Sequence, residues 1–148
     1  MILVHCCTPV SVPAGVAWAV LGDFEALATW HPAVVASPIE DGGPDDRIGC
    51  VRAVRLDGDA VIRERLLARC DDARCYQYAL LDGPLPVRDY TATLRVVGTG
   101  SDSARIDWTA RFTVPDDARP DEVATLMGEV FAAGLNAIPA HLCRPDPG

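Results

Sequence analysis

The sequence predicts an α+β fold in which a curved antiparallel sheet of about seven strands closes around one long C-terminal helix. Three observations carry this expectation. Period-two alternation of apolar and polar residues dominates from Ala33 to Val114 and is broken only by short turn clusters. One long stretch of helical period follows, from Pro120 to Leu142. Ahead of the strand run there is room only for a first strand and two helices too short to be stable alone.

Residues 2–10 (ILVHCCTPV) read as the first strand. Pro13 stands where a helix begins, and Ala17, Trp18 and Leu21 would form its buried face until Gly22 stops it. Asp23 is placed to cap a second short helix, Phe24 to Trp30, which the His31-Pro32 step terminates because a residue before proline avoids the helical region. Turn residues at 41–46, 57–59, 71–72, 83–86 and 98–103 then divide about six consecutive strands, whose short connections favour a curved antiparallel meander. The clearest strand is 105–114, where Ile106, Trp108, Ala110, Phe112 and Val114 alternate with polar residues. In the last helix Val123, Leu126, Met127, Val130, Phe131, Leu135 and Ile138 form an apolar stripe that must cover the concave sheet face, and Pro139 should bend or end it. All 148 residues are expected to form a single domain, with 144–148 as a flexible tail.

The hairpin 48–56/60–70 carries the first functional signal. With Asp57-Gly58-Asp59 as its loop and Gly58 left-handed, Leu56 pairs with Ala60 and Arg52 falls opposite Glu64. Strand parity then turns Arg52 and Glu64 inward with Val54, Leu56, Ala60, Ile62, Leu66 and Ala68. Arg55, Arg63, Arg65 and Arg69 take the other face with Val51 and Val61. An unpaired carboxylate among apolar atoms is costly, so the pairing explains how Glu64 is tolerated but not why it is there; a polar anchor in a ligand pocket is the favoured reading over a structural ion pair.

The strands that follow place Tyr76 and Tyr78, then the stiff loop Gly83-Pro84-Leu85-Pro86, then Tyr90, Ala92, Leu94 and Val96 on one face. Tyr90 is the inward residue nearest the loop, where its hydroxyl either meets a ligand or reaches solvent. His31 would lie near the mouth of such a pocket, either exposed and capping or moving a proton. His5 and His141 lack partners at metal-ligand spacing, and the His5/Cys7 alternation is read as interior packing.

Several classes are disfavoured. A net charge of −8 and a pI near 4.7 repel nucleic acid and anionic membranes. The start lacks a basic region, and no apolar run is read as reaching membrane-span length, which points to the cytoplasm. The six cysteines show no zinc or CxxC spacing and are expected to be reduced and mostly buried. With no phosphate-binding glycine loop, GxSxG, HExxH or EF-hand loop, no metal, nucleotide or other cofactor is expected.

The order Trp30-His31-Pro32, Gly49-Cys50-Val51-Arg52, Glu64-Arg65-Leu66, Gly83-Pro84-Leu85-Pro86, Tyr90, Trp108 and a long final helix resembles the polyketide cyclase/dehydratase branch of the START, or Bet v 1-like, superfamily over nearly the whole chain. Residues 48–92 are also similar to the plant abscisic-acid receptors. In that resemblance Glu64 and Tyr90 match the receptors' polar ligand network, Arg52 matches the arginine that pairs with the glutamate, and Pro84-Leu85-Pro86 occupies the latch. Two departures stand out: the 57–59 loop is far shorter than the receptors' gate loop, and Asp89 replaces their Asn, so hormone-gated signalling is not implied.

The resemblance implies a helix-grip fold with a deep hydrophobic cavity. It also implies a cyclase or dehydratase of secondary metabolism acting on a polyketide-like or aromatic metabolite, or a non-catalytic carrier of such a ligand. Glu64, Arg52, Tyr90 and His31 are the candidate catalytic residues. Trp30, Ile62, Tyr78, Leu85, Trp108, Phe112, Met127 and Phe131 are the candidate ligand-binding residues. The expected partner is a small hydrophobic or aromatic molecule, bound by a monomer or homodimer.

Overall fold

In the computed structural model, which describes residues 1–142, seven strands form one antiparallel sheet in the order β1-β7-β6-β5-β4-β3-β2. They are β1 (Ile2–Val10), β2 (Val34–Ala36), β3 (Val51–Leu56), β4 (Val61–Cys70), β5 (Cys75–Asp82), β6 (Arg88–Gly100) and β7 (Ser103–Thr113). Strands β2 to β7 pair consecutively, β3 to β7 through short connections and β2 to β3 across the longer segment 37–50, and β1 returns to pair with β7 along its whole length. The expected tail at 144–148 lies outside the described residues.

Between β1 and β2 the chain forms α1 (Ala14–Leu21), a 3₁₀ turn Phe24–Ala26 and α2 (Leu27–Trp30). α1 ends at Gly22, whose N–H donates to the Trp18 carbonyl at 2.8 Å; a Cβ there would lie 2.7 Å from the Trp18 ring. Trp18 is only half-buried; it packs at the edge of the core, and its indole N–H donates to Asp71 at 3.1 Å. Asp23 precedes the 3₁₀ turn but makes no side-chain cap, and the expected second helix is a 3₁₀ turn leading into one helical turn.

The helix α3 (Pro120–Leu142) lies on the concave face and packs closest along β1, burying Val123, Met127, Phe131, Leu135 and Ile138. Two expected members sit at the edge of this stripe: Val130 is half-buried and Leu126 is 39% exposed. By length and composition α3 is apolar enough to cross a membrane, contrary to the expectation that no segment is. Its apolar stripe is instead buried in the core. Pro139 stands within the helix rather than ending it. At Gly134 the helix crosses α2 so tightly that a Cβ would come within 2.5 Å of His31 Cδ2.

The expected facing fails at two places. A register shift between Leu66 and Ala68 leaves Ala68 exposed and brings Arg69, expected outside, onto Trp18, with its guanidinium carbon 5.0 Å from the ring centroid and an N–H donated to the Gly22 carbonyl. In β1 the inward set is Val4, Thr8 and Val10, so His5 and Cys7 are exposed rather than packed inside. The described cysteines are all free, but only Cys50 is buried; Cys7 and Cys70 are exposed and Cys6 and Cys75 are intermediate. The reading of mostly buried thiols is therefore corrected.

A buried carboxylate at an apolar cavity

The β3–β4 hairpin positions the central pair. Gly58 and Asp59 both adopt positive φ (85° and 73°), Leu56 N–H donates to the Ala60 carbonyl at 2.8 Å, and Arg52 stands opposite Glu64 in the ladder. Arg52 is 0% and Glu64 7% exposed. Arg52 Nε donates to Glu64 Oε1 at 2.8 Å, and Nη2 lies 2.8 Å from the same oxygen as an ion-pair contact without the angle of a hydrogen bond. Nη1 donates to the Phe24 carbonyl at 2.7 Å and reaches the Tyr76 hydroxyl at 3.4 Å.

Aromatic faces complete the enclosure of the guanidinium. Its carbon lies 4.1 Å from the Phe24 centroid and 4.8 Å from that of Tyr78. Such faces offset part of the cost of burying the cation. Burial alone would depress the Arg52 pKa; the Glu64 charge and the tyrosines outweigh it and hold the guanidinium protonated. Glu64 is raised above 4.5 because burial outweighs the pull of Arg52.

Glu64 lines a cavity of about 110 Å³ between the sheet and α3. Its Oε2 receives no hydrogen bond from any described group and is thus the open acceptor there. The wall is otherwise almost wholly apolar or aromatic: Ile62, Tyr78, Leu85, Tyr90, Trp108, Met127 and Phe131 line it as the sequence led us to expect, together with His31. Trp108 stacks on Phe131 at 4.2 Å and donates its indole N–H to the Tyr78 hydroxyl at 3.1 Å. Tyr90, 3% exposed, does not reach solvent; burial first, then the Glu64 charge, raises its pKa, with the Tyr78 hydroxyl opposing.

His31 is buried at 3% exposure rather than exposed at a mouth. Nδ1 accepts the Ala33 N–H at 3.1 Å, which leaves Nε2 to carry the proton and donate to the Val130 carbonyl at 2.9 Å. Both ring nitrogens are therefore engaged. Burial lowers its pKa below 6.5, the Val130 contact opposes, and Arg52 lowers it further.

Three expected site residues do not touch the cavity. Arg52 reaches it only through Glu64, Trp30 packs edge-on to Trp108 at 5.6 Å, and Phe112 stacks on Tyr90 at 5.8 Å. Six lining residues were outside the expected site: Leu27, Ala33, Val34, Val54, Leu56 and Val130. Val54 and Leu56 were already on the inward face of the hairpin and Val130 on the helix stripe, so the signal for them existed; Ala33 and Val34 stand at the start of the period-two run, where no turn fixes which side faces inward. The Gly83–Val87 loop forms the rim, with Leu85 shared between the cavity and a more polar outer groove. Asp89 adopts φ 52°, a left-handed conformation that Asn and Asp tolerate best among side-chain-bearing residues.

A curved sheet gripping a long helix over a largely apolar cavity with a buried carboxylate defines the helix-grip fold. Residues 4–142 match the family described as polyketide cyclase/dehydrase and lipid transport, and the chain belongs to that family. A solved structure from Thermobifida fusca is 31% identical with a TM-score of 0.86, covering 96% of this chain and 93% of that one. A START superfamily protein from Mycobacterium smegmatis is 19% identical (TM-score 0.74, covering 95% and 96%). The Zhui aromatase/cyclase from Streptomyces sp. R1128 is likewise 19% identical (TM-score 0.77, covering 95% and 93%). The last two likenesses speak to the fold alone. No curated protein matches the chain. Family and cavity together support a hydrophobic-ligand-binding protein.

Proposed function

We propose that the protein binds a polyketide-like or aromatic metabolite in this cavity and assists a cyclisation or dehydration by moving a proton through Glu64. The observation that carries the reading is one carboxylate oxygen, Oε2, left without a donor at an otherwise apolar cavity. A carboxylate whose pKa is raised by burial is a stronger base than one in water, and a positioned acid or base contributes about 10²–10⁴ in rate. Tyr90, lining the same cavity, would donate to a substrate oxygen as charge develops on it. Arg52 acts as a positioning residue: it fixes Glu64 Oε1 and favours the ionised carboxylate against the raising effect of burial. His31, with both nitrogens engaged, serves as a wall and a brace to α3 unless one of those bonds opens.

The cavity of about 110 Å³ is smaller than the ~300–1,000 Å³ of common small-molecule pockets. A ligand larger than a single ring would require Leu85 on the rim loop and Met127, an unbranched and adaptable side chain, to move aside. The second reading is a carrier that holds the same ligand without turnover; the scarcity of free polar groups around the cavity favours it. Glu64→Gln separates the two, since Gln keeps an acceptor for Arg52 but is no base. Turnover of a β-polyketone substrate should fall at least about a hundredfold with ligand affinity largely retained. If the unaltered protein binds such ligands and produces no cyclised or dehydrated product, the catalytic reading fails and the carrier stands.

A further inference from the structure

The chemistry at the cavity restricts the ligand beyond its being apolar. The open group at its polar end, Glu64 Oε2, only accepts hydrogen bonds when ionised. Among the described residues no arginine lines the cavity: Arg52 is fully buried behind Glu64, with Nη1 held by the Phe24 carbonyl and Tyr76, and the histidine in the wall, His31, has both ring nitrogens engaged. A ligand carboxylate would therefore set a second negative charge beside Glu64 in a site of low dielectric, with no arginine among the described lining residues to neutralise it. An ammonium is disfavoured for the opposite reason, because Arg52 already compensates the Glu64 charge. The wall is aromatic, with Tyr78, Tyr90, Trp108 and Phe131 around the space. The volume of about 110 Å³ is of the order of an apolar cavity that admits benzene, ~150 Å³.

Resting on the reading that this cavity is the ligand site, we propose that it selects a neutral aromatic hydroxyl compound, a phenol, whose O–H donates to Glu64 Oε2, and that it rejects the carboxylate of the same ring. The phenol thereby completes the coordination of an acceptor that no side chain of the protein satisfies. A phenolic ring is also the group that aromatising cyclisation creates, so the preference suits a product or an aromatic end of a substrate.

The test uses three probes of nearly one shape, p-cresol, toluene and p-toluate, titrated into the unaltered protein at pH 8 and followed by amide and methyl NMR shifts. p-Cresol should bind at least about tenfold more tightly than p-toluate, with toluene between them, and should shift resonances of Tyr90, Trp108 and Met127. In Glu64→Gln the advantage of cresol over toluate should shrink to less than about threefold, provided the variant remains folded by the same spectra. If p-toluate binds as well as p-cresol in the unaltered protein, the selectivity is wrong while the cavity remains a ligand site. If none of the three shifts cavity resonances, both the selectivity and the ligand-site reading fail.

Discussion

Glu64 and Arg63 are neighbours on β4, and each belongs to an arginine–carboxylate pairing, yet the two pairings differ in every respect that matters. Outside, Arg63 holds Glu40 through Nε at 2.6 Å and Nη2 at 2.8 Å, and Asp82 through Nη1 at 2.9 Å, in a side chain still 39% exposed. Inside, Arg52 gives Glu64 a single hydrogen-bonded oxygen and is wholly sealed from water. The outer network has more bonds and contributes little to stability, because water and salt screen it. The inner pair has fewer bonds and far larger consequences, because either ion left alone would sit uncompensated in the core. Number of contacts is a poor guide to importance here; what each group would face without its partner decides.

The largest expected effect follows directly. Glu64→Leu or Arg52→Met alone should destabilise the fold by about 3–5 kcal/mol in denaturant unfolding, whereas the double replacement should lie within about 1 kcal/mol of the unaltered protein. A double variant as damaged as the singles would show that the pair holds the fold together rather than being tolerated by it. Next in size, Gly134→Ala should cost about 1–3 kcal/mol, because the added methyl meets the His31 ring at the α2–α3 crossing. The same unfolding curves measure it.

The pH dependence divides the two regions again. Glu64 titrates above 4.5, so any base-catalysed turnover should rise as pH climbs through that raised value, and this acid limb should vanish in Glu64→Gln. His31 is lowered, so at pH 6.5, where a free imidazole is half charged, ¹⁵N NMR should show a neutral ring protonated on Nε2. The smallest effect is expected outside: Arg63→Ala should leave the unfolding midpoint in high salt unchanged, and a clear loss there would remove the contrast.

Much of the site was readable because it rests on local rules. A three-residue loop with Gly58 set the hairpin register, and register plus parity put Arg52 beside Glu64 and both inside. What escaped the sequence depended on non-local geometry. The register shift after Leu66 has no residue signature, and it moved Ala68 and Arg69 off their expected faces. In β1 apolar residues occupy both faces, Leu3 and Cys7 against Val4 and Cys6, so period two could not choose the dry side. The burial of His31 arises from a helix crossing at Gly134, about a hundred residues away in sequence, which no periodicity encodes.

The central claim is tested most directly by a crystal structure of the protein with p-cresol. The account predicts the ring between Trp108 and Tyr90 with its hydroxyl oxygen about 2.5–3.0 Å from Glu64 Oε2. A ring found only on the outer surface, or Oε2 already bound by a protein donor with the cavity filled by side chains, would contradict it.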